Sequence, residues 1–370
     1  MTIRSPHATG CPPGPRRIVV AMSGGVDSSV AAALLRDQGH QVIGVTLKLQ
    51  ECHEARGSLS CCGVDGITRA RAIAGQLGIP HYVVDCVREF DQRVLRPAWD
   101  DYANGRTPSP CLLCNERIKF GTLLSWSKQL GASLLATGHY ARVETLPHGE
   151  PSLLRGIDPD KDQSYFLAGL SMDQLSSVVF PIGRLNNQAV RELARSRGLT
   201  TAETHDSQDA CLVGSDQSFA EMLRKRFDGE NKPGPVIDDA GQVLGRHPGI
   251  HHFTVGQRKG ISIRSTSRRW VKAVRAEDSS IVVTDDESDL FADRLVAAGI
   301  SWLGEDPPKR GMDCDVQVRY RHSAEAASIE ASGAGVISVV FQRPVRAITP
   351  GQAAVFYNGD RVLGRGWIHA

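Results

Sequence analysis

Residues 16–37, RRIVVAMSGGVDSSVAAALLRD, decide the fold. The apolar run up to Met22 reads as a strand, Ser23-Gly24-Gly25 as a turn, and the Ala/Leu-rich stretch after it as a helix. Two glycines let the backbone take positive φ and approach an anion closely. The amides of such a loop, together with the helix N-terminus, then face phosphates. Ser23 and Ser28 offer hydroxyls, and Asp27 can cap the helix or hold Mg²⁺. The string lacks G-x-x-x-x-G-K-[ST] and is therefore not a Walker A loop. Taken alone, it also reads as an ordinary strand–helix junction with a good cap.

The pattern repeats outward. HQVIGVTLKL (40–49), HYVVD (81–85) and SLLATGHY (133–140) read as strands, and 64–77 as a helix ended by Gly78 and Pro80. Strands separated by helices predict a parallel sheet with helices on both faces. Its ligands sit beyond the carboxyl ends of the strands. From about Ser215 glycine and proline become dense. Short alternating runs follow, among them WVKAVRAE (270–277), SIVVT (280–284), CDVQVRYR (314–321), VISVVF (336–341) and AAVFYNG (353–359). These predict an all-β remainder, with a barrel. The expected organisation is a disordered lead-in over 1–15, an α/β catalytic domain over 16–215, a small β-rich domain over 216–290 and a C-terminal β-barrel over 291–370.

Composition narrows the class. The chain has 370 residues, 41% of them apolar, and a net charge of +2. Apolar content on that scale builds a globular core. No apolar run approaches the ~18 residues of a membrane helix. The opening MTIRSPHATGCPPGPRR has no signal-peptide core, and the expected compartment is the cytoplasm. Nine cysteines, an odd number, argue against a disulfide framework and for metal or catalytic roles. Arg264, Arg268, Arg269, Lys272 and Arg275 crowd into 263–275, a span that suits phosphates or simply makes a solvated face. With no long apolar stripe unassigned, a monomer is expected.

The stretch TPSPCLLCNERIKF, 107–120, carries Cys111 and Cys114. The spacing alone fits a metal clip, a redox pair, a nucleophile with a neighbour, or two buried thiols.

Context favours chemistry. S-G-G-V-D-S after the first strand resembles the pyrophosphate loop of the ATP pyrophosphatases, whose N-terminal domain is adenine nucleotide α-hydrolase-like. Further along stand CCGVDGITRARAIAGQLGIPHYVVD, GRTPSPCLLCNERIKF, LLATGHYAR, DKDQSYFLAGL, HDSQDACLVG, FTVGQRKGI, VRYRH and TPGQAAVFYNGDRVLGRG. In this order, from about residue 16 to 368, they resemble tRNA-specific 2-thiouridylases. The resemblance implies that the C2 oxygen of a wobble uridine in tRNA is adenylated by ATP and replaced by sulfur. Sulfur would come from a donor protein such as a cysteine desulfurase or a sulfur carrier.

By position, the resemblance implies that Cys114 is the nucleophile and Cys211 the persulfide carrier. Thiolates are needed at both, which favours depressed pKa values. Ala21, Met22, Ser23, Gly24, Gly25, Val26, Asp27, Ser28, Leu47 and Gly138 would line the ATP site, with Leu47 where relatives often carry Met. Ser109, Pro110 and Cys111 would border the target base. His139, Lys161, Asp162, Gln163, Arg319, Tyr320 and Gln352 would contact tRNA, the cations at phosphates and the amides at base edges.

One position departs. Many relatives carry Asp where this chain has Cys111, and that Asp is assigned a proton-transfer role. A thiol, with a reference pKa of about 8.5 against about 3.9, suits that role poorly. Cys111, Cys114 and Cys211 instead fit three irons of a [4Fe-4S] cluster, with the fourth iron open to sulfide, as in related thiolases with three such cysteines. A zinc site would need Cys61 or Cys62 as a further ligand. Two other functions share parts of this pattern. A small-molecule adenylating enzyme of the amidotransferase or argininosuccinate-synthetase kind needs the loop but neither paired cysteines nor an RNA surface. A non-catalytic tRNA-binding or redox module would not need an intact loop.

Overall fold

Ile18, Val19 and Val20 are fully buried, and their strand runs through the middle of a parallel sheet. A β-branched run closed on both faces suits that place and no half-exposed one. The structure, a computed structural model, describes residues 10–11, 14–51, 64–204, 218–261, 263, 268–304, 311–333 and 335–369. It divides into two units. The first holds 1–93, 111–215 and 360–362; the second holds 94–110, 216–359 and 363–370.

Among the described residues the first unit has seven strands: β1 (Arg17–Ala21), β2 (Gln41–Lys48), β3 (His81–Asp85), β4 (Leu134–Thr137), β5 (Ala141–Thr145), β6 (Pro151–Arg155) and β7 (Val178–Val179). Five of them make one sheet in the order β3-β2-β1-β4-β7, with every pair parallel. Helix α1 (Val26–Asp37) buries Val30, Ala31, Ala32, Ala33 and Leu35 completely, as a helix apolar on nearly all sides must. Helix α2 (Val64–Leu77) ends at Gly78, whose φ of +66° only glycine adopts at little cost. The expected parallel sheet is therefore present. Strand β7 and the hairpin β5–β6 were not expected. Two residues are too few to show a period, and the hairpin's polar-rich strands resemble loop.

In the second unit, β8 (Gly234–Ile237), β9 (Val243–His247), β10 (Trp270–Arg275) and β11 (Ser280–Thr284) form a sheet in the order β10-β11-β8-β9. Val236, Ile250, Phe253, Val271, Ile281 and Val283 make its core. Six longer strands follow: β12 (Phe291–Trp302), β13 (Met312–Gln317), β14 (Glu325–Gly333), β15 (Val336–Arg346), β16 (Ala353–Asn358) and β17 (Arg361–His369). They run β12-β15-β14-β13-β16-β17, and β17 pairs back onto β12, closing a six-stranded antiparallel barrel. Closure leaves no unpaired edge.

The stretch after residue 215 is not wholly β. Phe219–Arg226 is a helix, capped where the Ser218 side chain accepts from the Glu221 amide at 3.3 Å. Arg224, Lys225 and Arg226 complement its carboxyl end. The glycines and prolines just beyond it masked this signal. Among the described residues no helix is long and apolar enough to cross a membrane.

The Phe356 side chain is fully buried in the barrel among Val316, Ile329, Val339 and Phe341. Phe356→Ala is expected to cost the barrel about 3–5 kcal/mol. Denaturant unfolding followed by a barrel-specific probe would show this as a lower midpoint.

Candidate active site

The turn after β1 is built from its own hydroxyls. Ser28 Oγ receives the Ser23 amide at 3.2 Å and donates to the Gly25 carbonyl at 3.2 Å; the Gly25 amide reaches Ser23 Oγ at 3.3 Å. Gly24 has φ +78°, and a Cβ there would lie 2.4 Å from the Gly66 carbonyl oxygen of α2. The Arg69 Nε donates to the Gly24 carbonyl at 3.2 Å. Gly25 is the N-cap of α1 and offers no side chain to its first turn. The start of α1 is thus shaped for an anion supplied from outside.

Gly138 closes the other wall. A Cβ at this position would lie 2.6 Å from the Ser28 amide nitrogen and 3.0 Å from Asp27 Cβ. Asp27 meets Tyr140. Its Oδ1 accepts from the Tyr140 hydroxyl at 2.8 Å, and Asn187 Nδ2 donates to that hydroxyl at 3.2 Å. Leu47 is buried at the carboxyl end of β2, two residues beyond the register partner of Ala21. Met22 is buried, and its carbonyl accepts from Thr46 Oγ1 at 2.7 Å. Tyr140, Asn187 and Arg69 were not singled out from sequence; GHY after the fourth strand was the only signal for Tyr140.

Gln163 and Asp162 hold backbone. The Gln163 amide donates to the Tyr140 carbonyl at 2.9 Å, and its Oε1 accepts from the Tyr140 amide at 3.1 Å. Asp162 accepts from the Gly156 and Ser164 amides, from Ser164 Oγ and from Arg155 Nη1, all within 3.1 Å. Lys161, beside them, is half-buried.

Pro110 opens a helical run that passes through a π-helical stretch, Asn115–Thr122, and ends with Leu123–Gln129. Such stretches are rare and gather at functional sites. Leu112 and Leu113 are buried, while Cys111 and Cys114, three apart on one face, are partly open. Phe120, on the same run, packs at 5.9 Å from the His139 ring, just past β4. The run carrying Cys114 is thereby fixed at the carboxyl end of the sheet, where the α1 turn also lies. Cys86, just past β3, is within electrostatic reach of Cys114. Its own thiol is pushed up to about 11, first by burial, then by Glu89, Asp85 and Cys114. His139 is buried between Phe120 and Phe180, with Nδ1 at 2.7 Å from Thr137 Oγ1. Burial, then Lys119, pushes it well below its ordinary value, and it is neutral.

In the second unit, Gln352 Nε2 donates to the Thr107 and Pro108 carbonyls at 3.1 and 2.9 Å. Gly351 lies so close that a Cβ would meet the Thr107 oxygen at 2.8 Å. Gln352 therefore holds the approach to Ser109, itself buried, and Pro110. Arg319 and Tyr320 are half-buried beyond β13. The basic span is partly neutralised: Lys272 pairs with Asp239 and Asp289, and Arg269 with Asp285. Arg268 and Arg275 are exposed. Cys52, Cys61, Cys62, Cys211 and Arg264 lie outside the described residues.

A parallel sheet whose first turn is an anion cradle, walled by a glycine from the neighbouring strand, defines a nucleotide-binding α/β protein. Residues 16–215 match the family described as tRNA methyl transferase HUP domain, 222–285 the tRNA methyl transferase PRC-barrel domain, and 292–368 the aminomethyltransferase beta-barrel domain. A tRNA-specific 2-thiouridylase MnmA of Geobacter metallireducens is 43% identical over 360 residues, covering 96% of this chain and 97% of that one. Proteins of the same name from Geotalea uraniireducens and Carboxydothermus hydrogenoformans are each 41% identical, over 95% and 96% of this chain and 95% and 98% of theirs. The chain belongs to the tRNA-specific 2-thiouridylase family.

His139 gives a pH signature. The unfolded chain protonates it below about 6.5, while the folded one does not, so its stabilising contribution is full above that pH and lost as pH falls below it. One such proton is worth about 1.4 kcal/mol per pH unit. Stability measured between about pH 6.5 and 5 should fall less steeply in His139→Gln.

Proposed function

We propose that this chain is a tRNA-uridine 2-sulfurtransferase, a cytoplasmic enzyme that converts the wobble uridine of its tRNA substrates to 2-thiouridine. One observation carries the reading. The run bearing Cys111 and Cys114 is pinned through Phe120 and His139 to the same sheet end as the anion cradle of Ser23–Ser28 and Gly138. On this reading nucleotide activation and sulfur chemistry share one end of one sheet. The family descriptions and the relatives' names differ over whether a methyl group or sulfur moves. A paired-thiol helix serves sulfur.

The uridine C2 carbonyl is a poor electrophile, and its oxygen a poor leaving group. The C2 oxygen attacks the α-phosphorus of ATP and pyrophosphate leaves; the base now carries AMP on that oxygen. The amides at the start of α1, with Ser23 and Ser28, would bind the phosphates. Leu47 and Met22 would pack against adenine. Asp27, oriented by Tyr140, would hold Mg²⁺, a hard ion that suits carboxylate oxygen. Cys211, charged with sulfur by a donor protein, presents the terminal sulfur of its persulfide to C2, and AMP departs. Cys114 thiolate attacks the Cys211 sulfur, leaving a Cys114–Cys211 disulfide and the sulfur on the base. Ser109, Pro110 and Cys111 would border that base, and His139, Lys161, Asp162, Gln163, Arg319, Tyr320 and Gln352 would serve tRNA recognition. Among these, Gln163, Asp162 and Gln352 hold backbone, which makes them positioning residues.

Cys111 favours a second reading of the sulfur step. It shares a helix face with Cys114. With Cys211 the two would hold a [4Fe-4S] cluster, which would supply an open iron for sulfide. Iron and acid-labile sulfide after anaerobic purification separate the readings. About four of each per chain, lost in Cys111→Ser, assigns the cluster; none leaves the thiol relay.

The function is tested by two variants on purified chain, unmodified tRNA, ATP and a cysteine desulfurase with cysteine as the sulfur source. Gly138→Ala should weaken ATP binding by about tenfold or more, read by calorimetry. Cys114→Ser should keep ATP binding and lower 2-thiouridine formation by about a hundredfold or more, read by nucleoside mass spectrometry. Full thiolation by Cys114→Ser would sink the proposal.

A further inference from the structure

Glu221, His251 and His252 have no part in the chemistry above. Glu221 stands on the helix Phe219–Arg226, and the two histidines close the turn Ile250–His252. One ligand atom from each lies within 4.8 Å of the others. His251 is only 2% exposed. Its Nε2 has no hydrogen-bond partner among the described residues and lies 3.5 Å from Glu221 Oε2, too far for a good hydrogen bond. Buried polar atoms are seldom left in this way. A nitrogen aimed at a carboxylate, with a second imidazole beside it, is an arrangement that a cation would complete.

The surroundings fix these groups. The Trp99 ring meets the His251 ring edge-on at 5.6 Å, and a Cβ at Gly249 would lie 2.6 Å from His251 Cε1. The His251 and His252 ring centroids are 4.0 Å apart. Arg224 donates to both Glu221 oxygens, at 2.9 and 2.8 Å. Each carboxylate oxygen has two lone pairs, so Arg224 orients Glu221 and leaves it able to bind a metal, as outer hydrogen bonds do around metal sites. Lys225 is 3.9 Å from Glu221 and, with Arg224, is the cation that opposes a metal.

We propose that Glu221, His251 and His252 form a site for a divalent transition-metal ion, Zn²⁺ by donor type, with water in the fourth position. Two imidazole nitrogens and one carboxylate oxygen suit zinc with an open coordination place. Glu221 and His252 are partly exposed, which gives the ion and its water a route in. A bound ion would tie the helix Phe219–Arg226 to the turn Ile250–His252 within the second unit.

The test uses tag-free, full-length chain carrying Cys111→Ser and Cys114→Ser, which lowers thiolate competition. Co²⁺ is titrated in and followed by visible absorption and calorimetry. The expected result is saturable binding with d–d bands and no sulfur-to-cobalt charge transfer, competed away by Zn²⁺. Glu221→Gln and His252→Ala, each in the same background, should weaken it by about tenfold or more. Both side chains are partly exposed, and circular dichroism confirms that each variant folds. Co²⁺ should raise the melting temperature of the parent and not that of the variants. Absence of saturable binding, a spectrum dominated by sulfur, or equal binding in parent and variants would overturn the site.

Discussion

No side chain fits at position 138, because the Ser28 amide nitrogen would be 2.6 Å from its Cβ. That approach joins the end of β4 to the first turn of α1. A second contact of the same kind, Gly24 on Gly66, joins the turn to α2. Between these two backbone contacts, Ser23, Gly25 and Ser28 satisfy one another. Asp27 is drawn toward Tyr140, and Gln163 grips Tyr140 by both backbone groups. These backbone approaches and internal hydrogen bonds fix the carboxyl end of the sheet, and fixed donors of that kind are what electrostatic stabilisation of a transferring adenylyl group requires.

The parallel sheet was legible because runs such as Ile18–Val20 are uninterrupted and apolar, and the barrel because runs such as Val336–Phe341 alternate. What escaped was short or context-dependent. Val178–Val179 is too brief to have a pattern. The helix Phe219–Arg226 is polar on most of its surface, and the signal for it is a single serine cap. At the site, Gly24, Gly138 and Asp27 were readable from the motif. The role of Asp27 was not, because the Tyr140 hydroxyl that orients it stands 113 residues away in sequence. Gln352 was read as a residue that faces RNA. Its Nε2 donates to two carbonyls of the 107–108 loop, a pairing that sequence cannot show across 244 residues.

Burial sorts the described cysteines. Cys11, Cys86 and Cys314 are enclosed, and desolvation pushes each thiol up, Cys314 to about 12 and Cys86 to about 11. They remain protonated at neutral pH and behave as small apolar groups. Cys111 and Cys114 keep part of their surface open on a helix whose leucines are turned inward. Spacing in sequence made these two conspicuous; exposure is what makes them the chemically available pair.

The chain leaves the first unit at residue 94 and returns at 111. In that excursion Trp99 packs against Gly229 so tightly that any side chain there would strike the indole, and Tyr102 meets Phe219. A fragment ended at 215 would strip the partners from this excursion and present a bare indole and phenol to water. The first unit is therefore not separable by one cut. The aromatic residues of the helix Arg96–Ala103 have their solvent-excluding partners only when the rest of the polypeptide is attached, so a nascent chain released early would carry a sticky surface until the later residues emerged.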